Sequence, residues 1–125
     1  MGAIAGPNII LLMMVAMEHD LQARINAKSD QRQMLSMKSI FLASQKSTYF
    51  QANGSMSGND PRSNAINAQL QMLEQQEKII QAMDKVLDME LNKLQNELKM
   101  AQQRRENMQK TLDKNIETAF GGGGR

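Results

Sequence analysis

The sequence predicts an all-α protein: two long helices in a helix hairpin, coiled-coil-like in their packing. Three observations predict it. From Arg62 to Phe120 the chain contains neither proline nor glycine. The stretch Gln51–Asn64 is the only internal segment dense in turn-forming residues, with two glycines, three serines, three asparagines and a proline. No stretch alternates apolar and polar residues at the period of two that a half-buried strand requires.

Residues 1–7 read as a flexible or extended N-terminus, with Gly6-Pro7-Asn8 leading into a helix near Asn8. Ile9 to Met17 is nine consecutive apolar residues. A helix built from such a run is apolar on every side, so it has to be surrounded by something apolar. The run is shorter than the roughly 20 residues of an ordinary transmembrane helix. It makes a poor secretory signal, since no Lys or Arg precedes it and Glu18-His19-Asp20 follows directly. The cover is the monomer's own core, for which a hairpin has little mass, a bilayer, or a neighbouring subunit; the last is the better reading, with Ile9, Ile10, Leu11, Leu12, Met13, Met14, Val15 and Met17 expected to pack between subunits.

The first helix is expected over 8–50. Leu21, Lys28, Leu35, Leu42 and Tyr49 recur every seven residues, while the polar run Asn26–Gln33 is a weak middle with room for a break near 28–30. Residues 51–60 form the loop, with Asn59, Asp60 and Pro61 as its turn. Asp60 is a capping carboxylate, and Pro61 occupies the first helical position, where a missing N–H costs nothing. The second helix is expected over 61–120, about 60 residues or roughly 90 Å at 1.5 Å per residue. Its inward positions Leu87, Leu91, Leu94, Leu98, Ala101, Arg105, Met108 and Leu112 alternate spacings of four and three, the seam of a coiled coil. Leu35, Leu42, Ile80, Ile116 and Phe120 complete the expected hairpin seam. A second stripe (Ile79, Met83, Val86) widens the apolar face. Residues 121–125 (GGGGR) are a low-complexity tail with no strand before them, which rules out a phosphate-cradling loop.

Composition narrows the function classes. Aromatic residues make up 3% and tryptophan is absent, whereas methionine supplies 12 residues, suited to gap-filling helix contacts. The formal charge is only +2 and is not gathered into a basic patch, so nucleic acid is not an expected partner. Zero cysteines exclude a disulfide framework and any thiolate metal site. His19 is the only histidine, and its acidic neighbours point away from it on a helix, so no metal site is expected. No nucleophile–base pair is present, and the carboxylates of the second helix are interspersed with Lys and Arg as on a charged helix face. No catalytic, cofactor-binding or metal-ligating residue is assigned, and no enzyme is expected. Arg105, on the seam, reads either as a snorkelling edge position or as a register-setting partner of a neighbouring subunit's carboxylate.

The turn Asn59-Asp60-Pro61-Arg62-Ser63-Asn64, followed by Ala65-Ile66-Asn67-Ala68-Gln69-Leu70, resembles the turn and helix start of the needle and rod subunits of bacterial type III secretion systems. The stretch Leu112–Phe120 (LDKNIETAF) is similar to the C-terminal segment of that family. Both helices here are longer than those of a typical needle subunit. The resemblance implies a hairpin that polymerises around a hollow channel, with its C-terminal stretch packed in the polymer core. It also implies an extracellular or cell-surface location, reached without a cleavable signal peptide.

The expected function is thus a structural, self-assembling subunit of an extracellular helical filament or tube. Its expected partners are copies of itself and other secretion-system proteins. Two other readings start from the same residues. One is a membrane-active hairpin that inserts residues 4–17 into a bilayer. The other is a soluble coiled-coil adaptor whose seam binds a partner helix.

Overall fold

The computed structural model describes residues 2–56 and 60–121, with the surroundings of side chains given for residues 8–56 and 60–118. Helix α1 spans Gly2–Gly54 and helix α2 spans Pro61–Gly121. They pack against each other as a hairpin, and no strand occurs among the described residues.

Both helices reach beyond the ends expected from the sequence. Helix α1 begins at Gly2 instead of near Asn8 and includes Pro7. Pro7 is the sixth residue of α1, so the donor it lacks is the one that would pair with the Ala3 carbonyl, and the loss falls within a turn or two of the helix start. The polar residues 26–33 stay helical, so α1 has no break there. It also continues past residue 50 to Gly54. There Ser55 N–H donates to the Gln51 carbonyl at 3.3 Å and the Ser55 hydroxyl to the Ala52 carbonyl at 2.8 Å, satisfying two of the helix's last acceptors. Of the expected turn residues, Asn59 lies outside the described residues. Asp60 caps α2: its carboxylate accepts the Arg62 N–H at 3.0 Å and its carbonyl accepts the Ser63 N–H at 3.0 Å. Asn53 ties the two helix ends together, accepting from the Ser63 hydroxyl at 2.8 Å and donating to Asn67 at 3.2 Å.

The hairpin forms two compact units, one of residues 1–27 with 91–125 and one of residues 28–90. In the second unit the inward positions of α1 are Lys28, Arg32, Leu35, Leu42, Lys46 and Tyr49. They face Leu70, Leu73, Glu77, Ile80, Asp84 and Leu87 of α2, all of these residues buried or half-buried. Leu35, Leu42, Leu70, Leu73 and Leu87 are its buried apolar side chains. In the first unit Leu11, Met14, Glu18, Leu21 and Ile25 line α1. Leu91, Leu94, Leu98, Ala101, Arg105, Met108, Leu112 and Ile116 line α2. Leu112 is the least exposed apolar residue among the described residues, at 4%. Each such buried leucine or isoleucine contributes on the order of 1.5–3 kcal/mol of transfer free energy, which is what holds two helices of marginal individual stability together.

The seam is not purely apolar. Glu18, Lys28, Arg32 and Lys46 take inward positions on α1, and Glu77, Asp84 and Arg105 do so on α2, each paired across the hairpin. Arg32 forks, with Nε 2.8 Å and Nη2 3.2 Å from the two Asp84 oxygens and Nη1 2.8 Å from Asp88. Lys28 Nζ lies 2.6 Å from Glu90, and Lys46 Nζ lies 3.7 Å from Glu74 and 3.5 Å from Glu77. In the other unit Arg105 Nε donates to Glu18 at 2.6 Å. The partner of Arg105 is therefore a carboxylate of its own chain, and the pair is neither a free edge position nor a link reserved for a neighbour. The polarity also inverts between the units: α1 carries the cations in residues 28–90, and the anion in the other unit. Complementary charges of this kind select one register and one partner helix more than they add stability.

Candidate functional site

A two-helix hairpin covers only one side of each helix, so what an apolar residue does depends on the side it occupies. Along Ile9–Met17 only Leu11 and Met14 turn toward α2 and are half-buried. At 100° per residue, Ile9, Leu12, Met13 and Ala16 fall on the side of α1 opposite that seam. Leu12 is 71% and Met13 61% exposed, and Ile10, Val15 and Met17 flank them, exposed as well. Of the eight residues expected to pack between subunits, two line the hairpin and six lie in the open.

The hairpin residues named from the sequence come together. Leu35, Leu42, Leu87, Leu91 and Leu112 are buried, and Ile80, Leu94, Leu98, Met108 and Ile116 are half-buried. The side chain of Phe120 lies outside the described residues. Ile79, Met83 and Val86 do not join this seam. They stand exposed one position aside from Ile80, Asp84 and Leu87.

That second stripe is half of a surface which sequence periodicity in α2 alone did not delimit. Across the seam Met34, Lys38 and Phe41 of α1 stand beside it, and the two rows enclose a shallow groove within residues 28–90. Its larger stretch measures ≈ 470 Å³, floored by Leu35 and Leu87 and walled by Met34, Met83 and Val86. Lys38 lines both stretches of the groove and makes no ion pair among the described residues. The opposite side of the same unit presents Ser36, Ser39, Ile40, Gln81, Asp84 and Lys85, with Ile40 exposed among them. The signal was present in the sequence as exposed-position methionines on both helices, but which rows become neighbours depends on hairpin register.

Beside the groove, in the seam of the same unit, the electrostatics follow from the Arg32 fork. Its guanidinium, hydrogen-bonded to Asp84, holds that carboxyl below the usual carboxylate range, and the same bond raises Arg32. Asp60 is likewise lowered, first by its bond from the Arg62 side chain and then by the Arg62 N–H. These groups are tied up in ion pairs and a helix cap. No group of three or more metal-ligating side chains occurs among the described residues, and no helix there is long and apolar enough to cross a membrane.

Comparison with known proteins gave no match to a family model, to a curated protein or to a solved structure.

Proposed function

We propose that this chain is a structural subunit that self-assembles into a helical filament or tube, secretion-needle-like and extracellular, with its own copies as principal partners. One observation carries the reading: the apolar run Ile9–Met17 turns six large side chains away from the hairpin seam. Exposed apolar patches beyond a few hundred Å² mark interaction sites. The second exposed patch, along Met34, Phe41, Ile79, Met83 and Val86, supports a polymer over a closed dimer. Two different sticky surfaces on one subunit favour heterologous contacts, which propagate unless their rotation closes a ring. The absence of a cofactor, a catalytic role or a nucleic-acid partner belongs to the same proposal.

Negative-stain electron microscopy of the full chain at near-physiological salt tests it, paired with light scattering over a concentration series. Filaments, with scattering that rises steeply above a threshold concentration, are the expected result. A fixed small mass at every concentration would sink the polymer and favour a coiled-coil adaptor. Flotation with liposomes, lost when residues 1–17 are removed, would instead favour insertion of the apolar N-terminus into a bilayer.

A further inference from the structure

Resting on the polymer reading, we infer that the outward stripe Ile9, Leu12, Met13 and Ala16 of one copy seats in the Met34–Phe41/Ile79–Val86 groove of a second copy. The two surfaces complement each other in shape class. The stripe has the i, i+3, i+4, i+7 spacing by which a helix lies in an apolar groove. The groove is bounded by two helical rows and runs from Lys28 and Glu90 at one end to Phe41 and Ile79 at the other. Between residues 28 and 41 it spans about 20 Å, against roughly 11 Å for the rise from Ile9 to Ala16, so the stripe fits within it.

The charges agree as well. Ile9–Met17 brings no charge into the groove, and the stripe continues to Asp20, whose carboxylate is exposed and held only by exposed Arg24 at 3.1 Å. The groove offers Lys38, an ammonium without an ion-pair partner among the described residues. Docking would bury the two patches against each other and leave the mostly polar Ser36–Ser39 side facing away. Docking would cover apolar side chains left exposed on both partners: Ile9, Leu12 and Met13 on the plug, and Met34, Phe41, Ile79, Met83 and Val86 around the socket. Because plug and socket are different surfaces of the same chain, each bound copy presents the next free one.

Complementation between two variants tests this. Met13→Asp removes the plug and keeps the socket, whereas Met83→Asp does the reverse. Both positions are exposed, so circular dichroism of each variant is expected to match that of the parent. Each alone should sediment as a monomer and form no filaments, and an equimolar mixture should give a one-to-one dimer that grows no further. A mixture that stays monomeric while the parent polymerises would overturn the seat and leave the polymer standing. A dimer of Met13→Asp alone would mean that groove pairs with groove, and would also overturn it. A parent that never polymerises defeats both the polymer and the seat.

Should either aspartate variant unfold, the cysteine-free background supplies a second measurement. Copolymers of Met13→Cys and Met83→Cys chains should oxidise to a heterodimeric disulfide. Met13→Cys with Ile40→Cys, on the opposite side, should not. Filaments without the first crosslink, or with both, would refute the seat.

Discussion

Arg105 Nε lies 2.6 Å from Glu18 Oε2, joining residues 87 apart in sequence at an inward position of each helix. The Glu18 side chain is 13% exposed and that of Arg105 34%, so the pair sits between a surface and a buried bridge. Exposed pairs are worth about 0.2–1 kcal/mol, while removal of one partner from a buried pair costs about 3–5. Glu18→Ala should therefore destabilise the hairpin by about 1–2 kcal/mol, read as a lowered urea midpoint. The double substitution Glu18→Leu with Arg105→Leu should recover most of that loss, because it replaces two desolvated charges with apolar contact. If the double variant is no more stable than the single one, the pair contributes more than register.

Asp84 links stability to pH. Its folded pKa is depressed by Arg32, so the contribution is present above the unfolded aspartate value of about 3.9 and is lost as pH falls through the folded value. The thermal midpoint is expected to fall with acidification below about pH 4. Asp84→Asn should flatten part of that slope and lower stability at neutral pH. Arg32→Lys keeps the charge but not the fork, so it should weaken the hold on both Asp84 and Asp88. Equal slopes in the parent and the asparagine variant would refute the assignment.

Leu112 sets the largest single core loss. At 4% exposure it is the most completely covered apolar residue among the described residues. Leu112→Ala should cost about 2–3 kcal/mol, the low end for a leucine truncation, since a hairpin seam can partly collapse. Denaturant titration by circular dichroism reads it directly.

Gly54 ends α1 with no positive φ, and a Cβ there would meet nothing within 4 Å. Gly54→Ala should raise stability by about 0.5–1 kcal/mol through reduced unfolded-state entropy, visible as a higher thermal midpoint. A fall would show that the chain after Gly54 needs freedom at this position.

Leu12→Asp separates the outer surface from the fold. Leu12 takes no part in the seam, so helix content should be unchanged while filament formation is lost. Met14→Asp, half-buried against α2, should lose assembly and also lower the urea midpoint. Filaments of Leu12→Asp would remove the role proposed for this segment.

Read alone, the sequence determines the helices and their inward stripe. Nothing between Arg62 and Phe120 breaks a helix, and the four–three spacing from Leu87 to Leu112 places every one of those residues at a buried or half-buried position. The capping role of Asp60 was legible from its neighbour Pro61, because capping is local chemistry. What only the tertiary structure decided is register. Periodicity assigns Arg105 and Arg32 to a seam without saying which carboxylate stands opposite, since any slip of one turn preserves the pattern. Nor does it say that Met34 and Phe41 stand beside Ile79 and Met83, for residues on different helices become neighbours only once the hairpin is aligned. The apolar run Ile9–Met17 shows the same division: its composition demands cover, but two helices have only one shared side, so the seam takes Leu11 and Met14 and leaves the rest outside.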